Sequence, residues 1–343
     1  VVALVVGIFA VYQHIAGQLS GTNTVDGSLP DDVRAADLPE YTGKGIICGL
    51  VCGLDYDNET ADGYEDPDNK IGNTDLILYV MFDTVNGSAN ILQIPRDIYV
   101  GDELATGGNY KINSLYRFSE DPDNRIAPLA RAINDQLKLP IDFYITIDMD
   151  AVKAIVDHMG TLEVYVPRDV VDPENPGNVL EEGWRHFTGE EAEFFLRNRN
   201  YVDGDVTRLA MQQSFYSALF REFKRLTPTD LLIWMRIVLY YVNVEGISLV
   251  EIGGLGQKAL GLTSEDITFV RPPVIGTKYK GKALVYLDAD ETAELLNQYF
   301  RPDGHGYTAE ELNIFTLDTD LYGKSEAQII SMASIQGQEA PHQ

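Results

Sequence analysis

Residues 75–97 read DLILYVMFDTVNGSANILQIPRD, and this stretch decides the fold. It holds two apolar runs on either side of VNG. An Asn-Gly pair between two such runs predicts a β-hairpin with a two-residue turn, here at Asn86-Gly87. Antiparallel pairing about that turn makes Arg96 a diagonal neighbour of Asp75. We therefore expect these two side chains to lie close together at the edge of the sheet away from the turn.

The apolar run at residues 45–54, GIICGLVCGL, predicts a strand that is buried on both faces. If this strand runs parallel to residues 89–95, Asp55 leaves the sheet at that same edge. Cys48 and Cys52 would then point to one face, about 13 Å apart at 3.3 Å per residue. Because a disulfide needs Cα atoms within about 7 Å, both cysteines are predicted to be small core residues.

Strand-like and helix-like patterns alternate along the rest of the domain. One helix is marked by Thr188 and Glu191, which have capping-box spacing, and it is expected to end near Arg197. Asp203 or Asp205 is expected to cap the helix that follows. Strands and helices that alternate around an antiparallel hairpin predict the α/β class, as a three-layer α/β/α domain on a mixed central sheet.

The N-terminus has a different composition from the rest of the chain. Its first twelve residues, VVALVVGIFAVY, are uncharged and almost wholly apolar. A helix that crosses a membrane needs about 20 such residues, so we interpret this run as the distal end of a membrane anchor. The alternative is the apolar part of a secretory signal, and either interpretation places the domain outside the cytoplasm. The predicted divisions are the end of the anchor at 1–17, a linker at 18–40, the α/β domain at 41–303 and a polar C-terminal tail at 304–343.

The chain is strongly acidic, with 26 Lys+Arg against 53 Asp+Glu and a formal net charge of −27. This balance argues against nucleic acid as a partner, because phosphate backbones are bound by basic faces. The five histidines are scattered, and the sequence contains neither an HExxH nor a G-x-S-x-G motif. A small basic pocket inside an acidic shell is still compatible with this composition.

One stretch of twelve residues in this acidic chain contains three arginines, Arg197, Arg199 and Arg208. Arg208 falls in the first turn of a predicted helix, where the helix dipole disfavours a cation. An anion that binds between Arg208 and the free backbone N–H groups would explain a cation at this position. Gln212 lies one turn further along the helix, on the same face. The arginine fork matches phosphate oxygens. The alternative is that these arginines pair with the surrounding carboxylates.

Six short motifs follow one another along the chain. They are, in order, TDLIL with Asp75, ILQIPRD with Arg96 and Asp97, KINSLY with Lys111 and Asn113, IVDHMG with Asp157, TGEEAEFFLRNR with Arg197 and Arg199, and D-x-D-x-x-R-x-x-x-Q with Arg208 and Gln212. In this order they resemble the LytR–CpsA–Psr family of cell-wall enzymes over about residues 46–226, with an α/β continuation to about 303.

The resemblance implies an extracytoplasmic phosphotransferase. Such an enzyme moves a glycan, for example wall teichoic acid or capsule, from a polyprenyl-pyrophosphate carrier onto peptidoglycan. It also implies an N-terminal anchor in a Gram-positive type of membrane, and Mg²⁺ or Mn²⁺ as cofactor. Two alternatives stay open. One is a non-catalytic binder or regulator of lipid-linked pyrophosphate, and the other is a hydrolase that uses water as the acceptor.

Residue by residue, the resemblance implies a metal pair formed by Asp55 and Asp75. It implies a phosphate-binding set that comprises Arg96, Arg197, Arg199, Arg208 and Gln212. Met211 departs from the family pattern, because many members have arginine there. A phosphate contact or a helix-surface ion pair is therefore expected to be lost.

Two questions about the reaction stay open in the sequence. Asp75 or Asp97 could accept the proton of the attacking sugar hydroxyl, and Asp97 has the alternative of a salt bridge. Lys111 and Asn113 either line the site or brace it, whereas Asp157 is interpreted as structural. The prenyl chain needs an apolar tunnel, and the candidate lining residues are Phe215, Leu219, Phe223, Leu78 and Val80.

Overall fold

In the computed structural model of the protein, the described residues are 38, 41–55, 71–172, 177–198, 205–225, 242–247, 251, 255, 258–317 and 321–339. For residues 42 and 205–210 only the backbone is described. Among the described residues, no helix is both long enough and apolar enough to cross a membrane. The predicted anchor at 1–17 lies outside them.

The strands and helices alternate along the chain, as the sequence patterns predicted. The strands are β1 Ile46–Asp55, β2 Asn73–Asp83, β3 Ser88–Gln93, β4 Phe143–Asp148, β5 Leu162–Val166, β6 Val170–Val171, β7 Val179–Leu180, β8 Gly183–Phe187, β9 Val242–Glu245, β10 Ile267–Arg271, β11 Val274–Tyr279, β12 Lys282–Leu287, β13 Leu321–Lys324 and β14 Gln328–Ser331. The helices are α1 Ala127–Leu137, α2 Met149–His158, α3 Gly189–Arg197, α4 Asp205–Arg225, α5 Ala289–Tyr299 and α6 Met332–Gln338.

The central sheet has seven strands within the described residues, in the order β14-β10-β3-β2-β1-β4-β9. β1 pairs in parallel with β4, and β3 pairs in parallel with β10. The other neighbours are antiparallel. The predicted mixed sheet with an antiparallel hairpin is therefore confirmed. A smaller sheet, in the order β12-β11-β13, stands beside it.

Each face of the central sheet is covered by a separate apolar core, because the strands alternate their side chains between the two faces. On one face Val51 belongs to a core that includes Phe195 of α3 and Phe215 of α4, and α2 and α6 also pack there. On the other face Leu50 belongs to a core with residues of α1 and α5. The three-layer α/β/α prediction is confirmed. Cys48 and Cys52 are buried free thiols in the second core, as predicted.

The loop of the β2–β3 hairpin differs from the two-residue turn that Asn-Gly predicted. Asp83 pairs with Ser88, so the loop has four residues, 84–87, and the predicted turn is wrong. The Asp83 carboxylate accepts from the backbone N–H groups of Val85 at 2.9 Å and Asn86 at 2.8 Å. Gly87 closes the loop with a φ of +70°, which glycine adopts without strain. The Asp83 side chain thus stabilises a loop that is two residues longer than the predicted turn.

Part of the predicted polar tail at 304–343 belongs to the folded domain, which corrects that prediction. β14 pairs with β10 at the edge of the central sheet. α6 follows it, and its Met332 and Ile335 are buried in the core beside α4. β13 joins the smaller sheet through β11. The C-terminal segment thus completes both sheets.

Candidate active site

The candidate site lies at one edge of the central sheet, where three neighbouring strands meet. β1 ends there at Asp55, β2 begins there at Asn73, and β3 leads there into Arg96. β1 and β3 run in the same direction and β2 runs against them, so the condition under which Asp55 shares this edge is met. This topology brings residues far apart in the sequence to one place.

A β-bulge in β2 sets the direction of Asp75. Gly53 pairs with Leu76 and Leu54 pairs with Thr74, so Asp75 is the extra residue between two pairs. In an unbroken ladder the alternation of side chains would turn Asp75 towards the face of α1 and α5. Because of the bulge, Asp75 instead lines a cavity together with Gly53 on the face of α2 and α4.

Both carboxylate oxygens of Asp75 are held by neighbours. Nη1 of Arg96 lies 2.5 Å from Oδ2, which confirms the predicted closeness of the two residues. Nδ2 of Asn113 donates to Oδ1 at 3.3 Å. Asn113 is fixed in turn, because its backbone N–H donates to the Arg96 carbonyl at 3.2 Å and its carbonyl accepts from Thr74 Oγ1 at 3.2 Å. Asn113 thus braces the Asp75–Arg96 pair.

Asp97 and Lys111 form a second ion pair beside Arg96. Nζ of Lys111 lies 2.7 Å from Oδ1 of Asp97, and Nε of Arg96 lies 4.0 Å from its Oδ2. The salt bridge considered for Asp97 is therefore present, with Lys111 as its closer partner. Lys111 acts as a brace in this arrangement.

Arg197 links α3 to the end of β1. Its Nη2 atom lies 2.8 Å from Oδ1 of Asp55, and its Nε atom lies 3.2 Å from Oε1 of Glu193. Glu193 is itself paired with Lys153 of α2 at 3.0 Å. Asp55 is only 9% exposed, and a carboxylate with so little contact with water is stabilised by a charged partner such as Arg197.

The position of Arg197 follows from how α3 begins and ends. Thr188 and Glu191 form the predicted capping box at its N-terminus. Asp157, at the end of α2, accepts from the backbone N–H of Gly189 at 2.7 Å, which ties the two helices together and fits its structural interpretation. Arg197 is the last residue of α3, where the helix dipole favours a cation.

α4 brings a further polar side chain to the cavity. Gln212 is 8% exposed and lines the cavity, whereas Nε2 of Gln213 donates to Oε1 of Gln93 at 3.1 Å and so fixes α4 against the end of β3. Met211 is 1% exposed and packs in the apolar core. At the position where the sequence departs from the family pattern, this chain therefore has a buried core side chain.

The cavity runs from this polar edge into the apolar layer between the sheet, α2 and α4. It has about 860 Å³ of empty space, part of which opens to solvent. The polar groups at its mouth are Asp55, Asp75, Arg197 and Gln212. Its apolar lining comprises Val51, Leu76, Ile147, Met149, Val152, Ile155, Val156, Leu196, Phe215, Tyr216 and Leu219. The cavity therefore combines charged groups of both signs at its mouth with an apolar interior.

Two of the five residues predicted to line a prenyl tunnel lie on the wall of this cavity. Phe215 and Leu219 line the cavity, whereas Phe223, Leu78 and Val80 lie in the adjoining core. The contribution of α2 to the cavity wall was not predicted from the sequence. Its apolar positions recur at helical spacing in MDAVKAIVDH, but that spacing could not tell a cavity wall from ordinary core.

Two members of the predicted arginine set lie beyond the described side chains. Arg199 lies outside the described residues, and Arg208 has only its backbone described, near the start of α4. Their convergence with Arg96 and Arg197 therefore stays a prediction.

The donor set at the mouth is compatible with a small divalent cation. Asp55 and Asp75 provide hard oxygen donors on one cavity wall, and each faces an arginine. Within the described residues, no group of three or more His, Cys, Asp or Glu side chains could hold a metal by itself. Mg²⁺ commonly uses one or two carboxylates and takes its remaining ligands from phosphate and water, so two carboxylates are sufficient.

The fold and the site together define an α/β protein in which an apolar cavity opens at a mouth of charged and polar side chains. The chain belongs to the LytR_cpsA_psr family, whose model matches residues 19–301.

Relatives with named activities match parts of the chain. The Bacillus subtilis polyisoprenyl-teichoic acid–peptidoglycan teichoic acid transferase TagV is 31% identical over 156 residues, which cover 43% of this chain and 38% of the relative. TagU of Bacillus anthracis, named for the same transfer, is 27% identical over 220 residues, which cover 63% of this chain and 65% of the relative. The matched region thus spans less than two thirds of these curated relatives.

The crystal structure of B. subtilis TagV has a similar fold. The superposition has a TM-score of 0.60 at 25% identity, and it covers 75% of this chain and 97% of the TagV chain.

Proposed function

We propose that this protein is an extracytoplasmic phosphotransferase that moves a glycan from a polyprenyl-pyrophosphate carrier onto peptidoglycan. One observation carries the proposal: a single cavity joins a mouth of paired carboxylates and arginines to an apolar interior. A prenyl-pyrophosphate donor has the same two parts, because its anionic head is followed by a long hydrocarbon chain. The names of TagV and TagU support this donor and this acceptor, with teichoic acid as the transferred glycan.

The arginines would hold the pyrophosphate. Arg197 and Gln212 line the mouth, and Arg96 is paired with Asp75 beside it. Arg199 and Arg208 are the further members that we assign to this set. Guanidinium groups bind phosphate oxygens through two parallel hydrogen bonds, and they stabilise the charge that grows on the leaving phosphate. A point charge such as lysine lacks this geometry.

The carboxylates Asp55 and Asp75 would hold Mg²⁺ or Mn²⁺. A bound divalent cation neutralises phosphate charge and polarises the phosphorus centre. Asp55 and Asp75 now face arginines at 2.8 Å and 2.5 Å. With donor and cation bound, Asp55 and Asp75 would hold the cation, and Arg96 and Arg197 would bind the phosphates. The ion pairs therefore keep the buried charges compensated until the donor arrives.

In the reaction, a hydroxyl of the acceptor glycan attacks the phosphorus that carries the donor glycan. The bond from this phosphorus to the bridging oxygen breaks, and prenyl phosphate leaves with the electron pair. Asp75 and Asp97 are the carboxylates beside Arg96 that can accept the hydroxyl proton. The apolar cavity wall keeps the prenyl chain out of water while this occurs.

We also propose that the domain works on the outer side of the membrane, where peptidoglycan lies, with residues 1–17 as the end of its anchor. This proposal rests on the apolar sequence of that segment and on the acceptor named for the relatives.

A product assay tests the proposed reaction. The full chain is incubated with a polyprenyl-pyrophosphate-linked glycan and Mg²⁺, with and without peptidoglycan, and both products are quantified. A transferase joins glycan to peptidoglycan and releases prenyl phosphate only when the acceptor is present. Equal release without acceptor would identify a hydrolase, and donor binding without either product would identify a binder. Asp135→Asn is the control, since Asp135 is a mostly exposed carboxylate on α1, which packs on the other face of the sheet.

A further inference from the structure

Four charged side chains connect the end of β1 to α2 in an alternating series. Arg197 of α3 lies 2.8 Å from Asp55 and 3.2 Å from Glu193. Glu193 also lies 3.0 Å from Nζ of Lys153 on α2. We call Asp55, Arg197, Glu193 and Lys153 the charge chain. Asp55 and Arg197 line the cavity mouth, and the other two members connect them to α2.

Glu193 bridges two cations. Its Oε1 atom faces Nε of Arg197, and its Oε2 atom faces Nζ of Lys153. The Glu193 side chain is 19% exposed, so water contributes little to the stability of its charge. Its hydrogen bond raises the pKa of the Lys153 ammonium group. A bridging carboxylate of this kind differs from an isolated surface ion pair, whose contribution is small.

Lys153 has two other carboxylates nearby, but Glu193 is its main partner. Asp150 lies 3.4 Å from Nζ of Lys153 and is 49% exposed, and Glu190 lies 3.8 Å away and is 84% exposed. Glu193 is both closer and less exposed than either of them. The charge of Glu193 is therefore compensated by Lys153 as well as by Arg197.

The packing of α2 against α3 fixes the position of Glu193. A Cβ atom at Gly189 would lie 2.6 Å from the Lys153 carbonyl, so the two helices approach closely there. The backbone N–H of Gly189 donates to Asp157 at 2.7 Å. Glu193 and Arg197 follow Gly189 at intervals of four residues, on the same face of α3. Glu193 thus stands between the helix contact and the cavity mouth.

We propose that Glu193 is a positioning residue that compensates the charge of Arg197 when Asp55 binds a divalent cation, an inference that rests on the proposed function. Glu193 would stay with the Nε side of Arg197, which leaves Nη2 for a phosphate. Because Glu193 shares the charge of Arg197, it also weakens the hold of Arg197 on Asp55. Separating a partly buried ion pair costs less when each member keeps a partner of opposite charge. Both effects favour the cation at Asp55.

Binding of Mn²⁺ alone tests this inference without catalysis. It is measured on the full-length protein by electron paramagnetic resonance of the free ion. Glu193→Gln keeps the shape and loses the charge, so it should raise the Mn²⁺ dissociation constant about fivefold while the thermal melt stays nearly unchanged. Glu190→Gln is the matched control, because it makes the same change at an exposed position of α3, and it should bind Mn²⁺ like wild type. Wild-type affinity in Glu193→Gln would overturn the inference.

Lys153→Met distinguishes positioning from a structural bridge between the helices. Without Lys153, Glu193 should draw Arg197 further from Asp55, so Mn²⁺ should bind at least as tightly as in wild type. If Glu193 and Lys153 only joined α2 to α3, both substitutions would instead weaken Mn²⁺ binding. That result would overturn the inference.

A double variant shows whether Glu193 acts through Arg197. In an Arg197→Gln background, Glu193→Gln should cause no further loss of Mn²⁺ affinity, because the group that it positions is absent. An equal loss in both backgrounds would mean that Glu193 attracts the cation directly, which also overturns the inference.

Asp55→Asn separates this inference from the proposed function, and it should abolish most Mn²⁺ binding. Unchanged Mn²⁺ affinity in Asp55→Asn would contradict the metal assignment, and the role of Glu193 with it. Loss of binding in Asp55→Asn together with wild-type binding in Glu193→Gln would overturn the inference alone and leave the metal assignment supported.

Discussion

Arg197, the last residue of α3, lies 2.8 Å from Asp55, the last residue of β1, through its Nη2 atom. Its Nε atom faces Glu193 at 3.2 Å. The guanidinium group is therefore fixed between two carboxylates, one of which is nearly buried. Under the proposed function, this pair would separate so that Arg197 binds phosphate and Asp55 binds the cation.

Substituting Arg197 by lysine should weaken donor binding about ten- to a hundredfold. Hydrogen bonds to charged groups contribute roughly 1.5–3 kcal/mol each, and lysine keeps the charge while it loses the paired bonds. Binding of a short-chain prenyl pyrophosphate, measured by titration calorimetry, gives the change.

The matched control is Arg225→Lys. Arg225 is 59% exposed at the far end of α4, where it forms a surface ion pair with Glu222. The Arg225→Lys substitution should leave donor affinity unchanged. Equal affinity for Arg197→Lys and wild type would remove Arg197 from the phosphate-binding set.

Asp75→Asn should abolish most metal-dependent transfer while the thermal melt stays nearly unchanged. The amide keeps the shape and can still bond to Asn113, but it loses the charge that a divalent cation needs. Metal stabilisation of the transition state is worth several kcal/mol, so a loss of about a hundredfold or more is expected. Initial rates over a range of Mg²⁺ concentrations, with and without EDTA, give this result.

The Asp75 experiment distinguishes a metal ligand from a structural residue. A structural role would lower the melting temperature together with the rate. Full activity in Asp75→Asn, or wild-type activity in EDTA, would contradict the metal assignment. Asp135→Asn serves again as the control, because its carboxylate is mostly exposed.

The parts of the site that the sequence predicted are those set by local interactions. Thr188 and Glu191 are three residues apart, and their capping box forms as predicted and leads α3 to Arg197. The closeness of Asp75 and Arg96 also followed from a single hairpin. The length of that hairpin loop did not follow, because the Asp83 side chain competes with the Asn-Gly signal by binding the loop backbone.

The parts that were missed depend on contacts between distant segments. The bulge at Asp75 arises where β2 pairs with Gly53 and Leu54 of β1, and neither segment alone encodes it. The four residues of β14 are too few for a periodic signal, yet β10 provides a partner strand for them. The role of α2 as a cavity wall likewise depends on where α4 lies.

Gly53→Ala should disturb the bulge that directs Asp75. An added Cβ at Gly53 would lie 2.9 Å from Cβ of Leu76, so the strands must shift. Overpacking of this kind costs typically 1–3 kcal/mol, measurable as a lower midpoint in chemical denaturation. The Mg²⁺ concentration for half-maximal activity should rise as well, because the carboxylate moves.

Gly43→Ala is the matched control for the bulge. A Cβ at Gly43 would have no heavy atom within 4 Å, so stability and Mg²⁺ dependence should stay near those of wild type. A Gly53→Ala protein with normal stability and a normal Mg²⁺ requirement would show that the bulge does not set the position of Asp75.

Gln212→Glu should weaken donor binding by placing a carboxylate in the cavity mouth. Gln212 is 8% exposed and lies on the wall that Asp55 and Asp75 also line. A third negative charge there would repel the phosphates, and little solvent is present to screen it. Gln298→Glu, the same change at an exposed position of α5, is the control.

Arg208 lies one turn before Gln212 on α4, so a phosphate held by Gln212 would lie within reach of Arg208. If both bind the same phosphate, the effects of Arg208→Lys and Gln212→Glu on donor affinity should be non-additive in the double variant. If the two residues bind independently, the fold-change in donor affinity of the double variant should equal the product of the two single fold-changes. Measured additivity within error, or unchanged affinity in Arg208→Lys, would show that Arg208 pairs with surface carboxylates, and the phosphate-binding set would then exclude it.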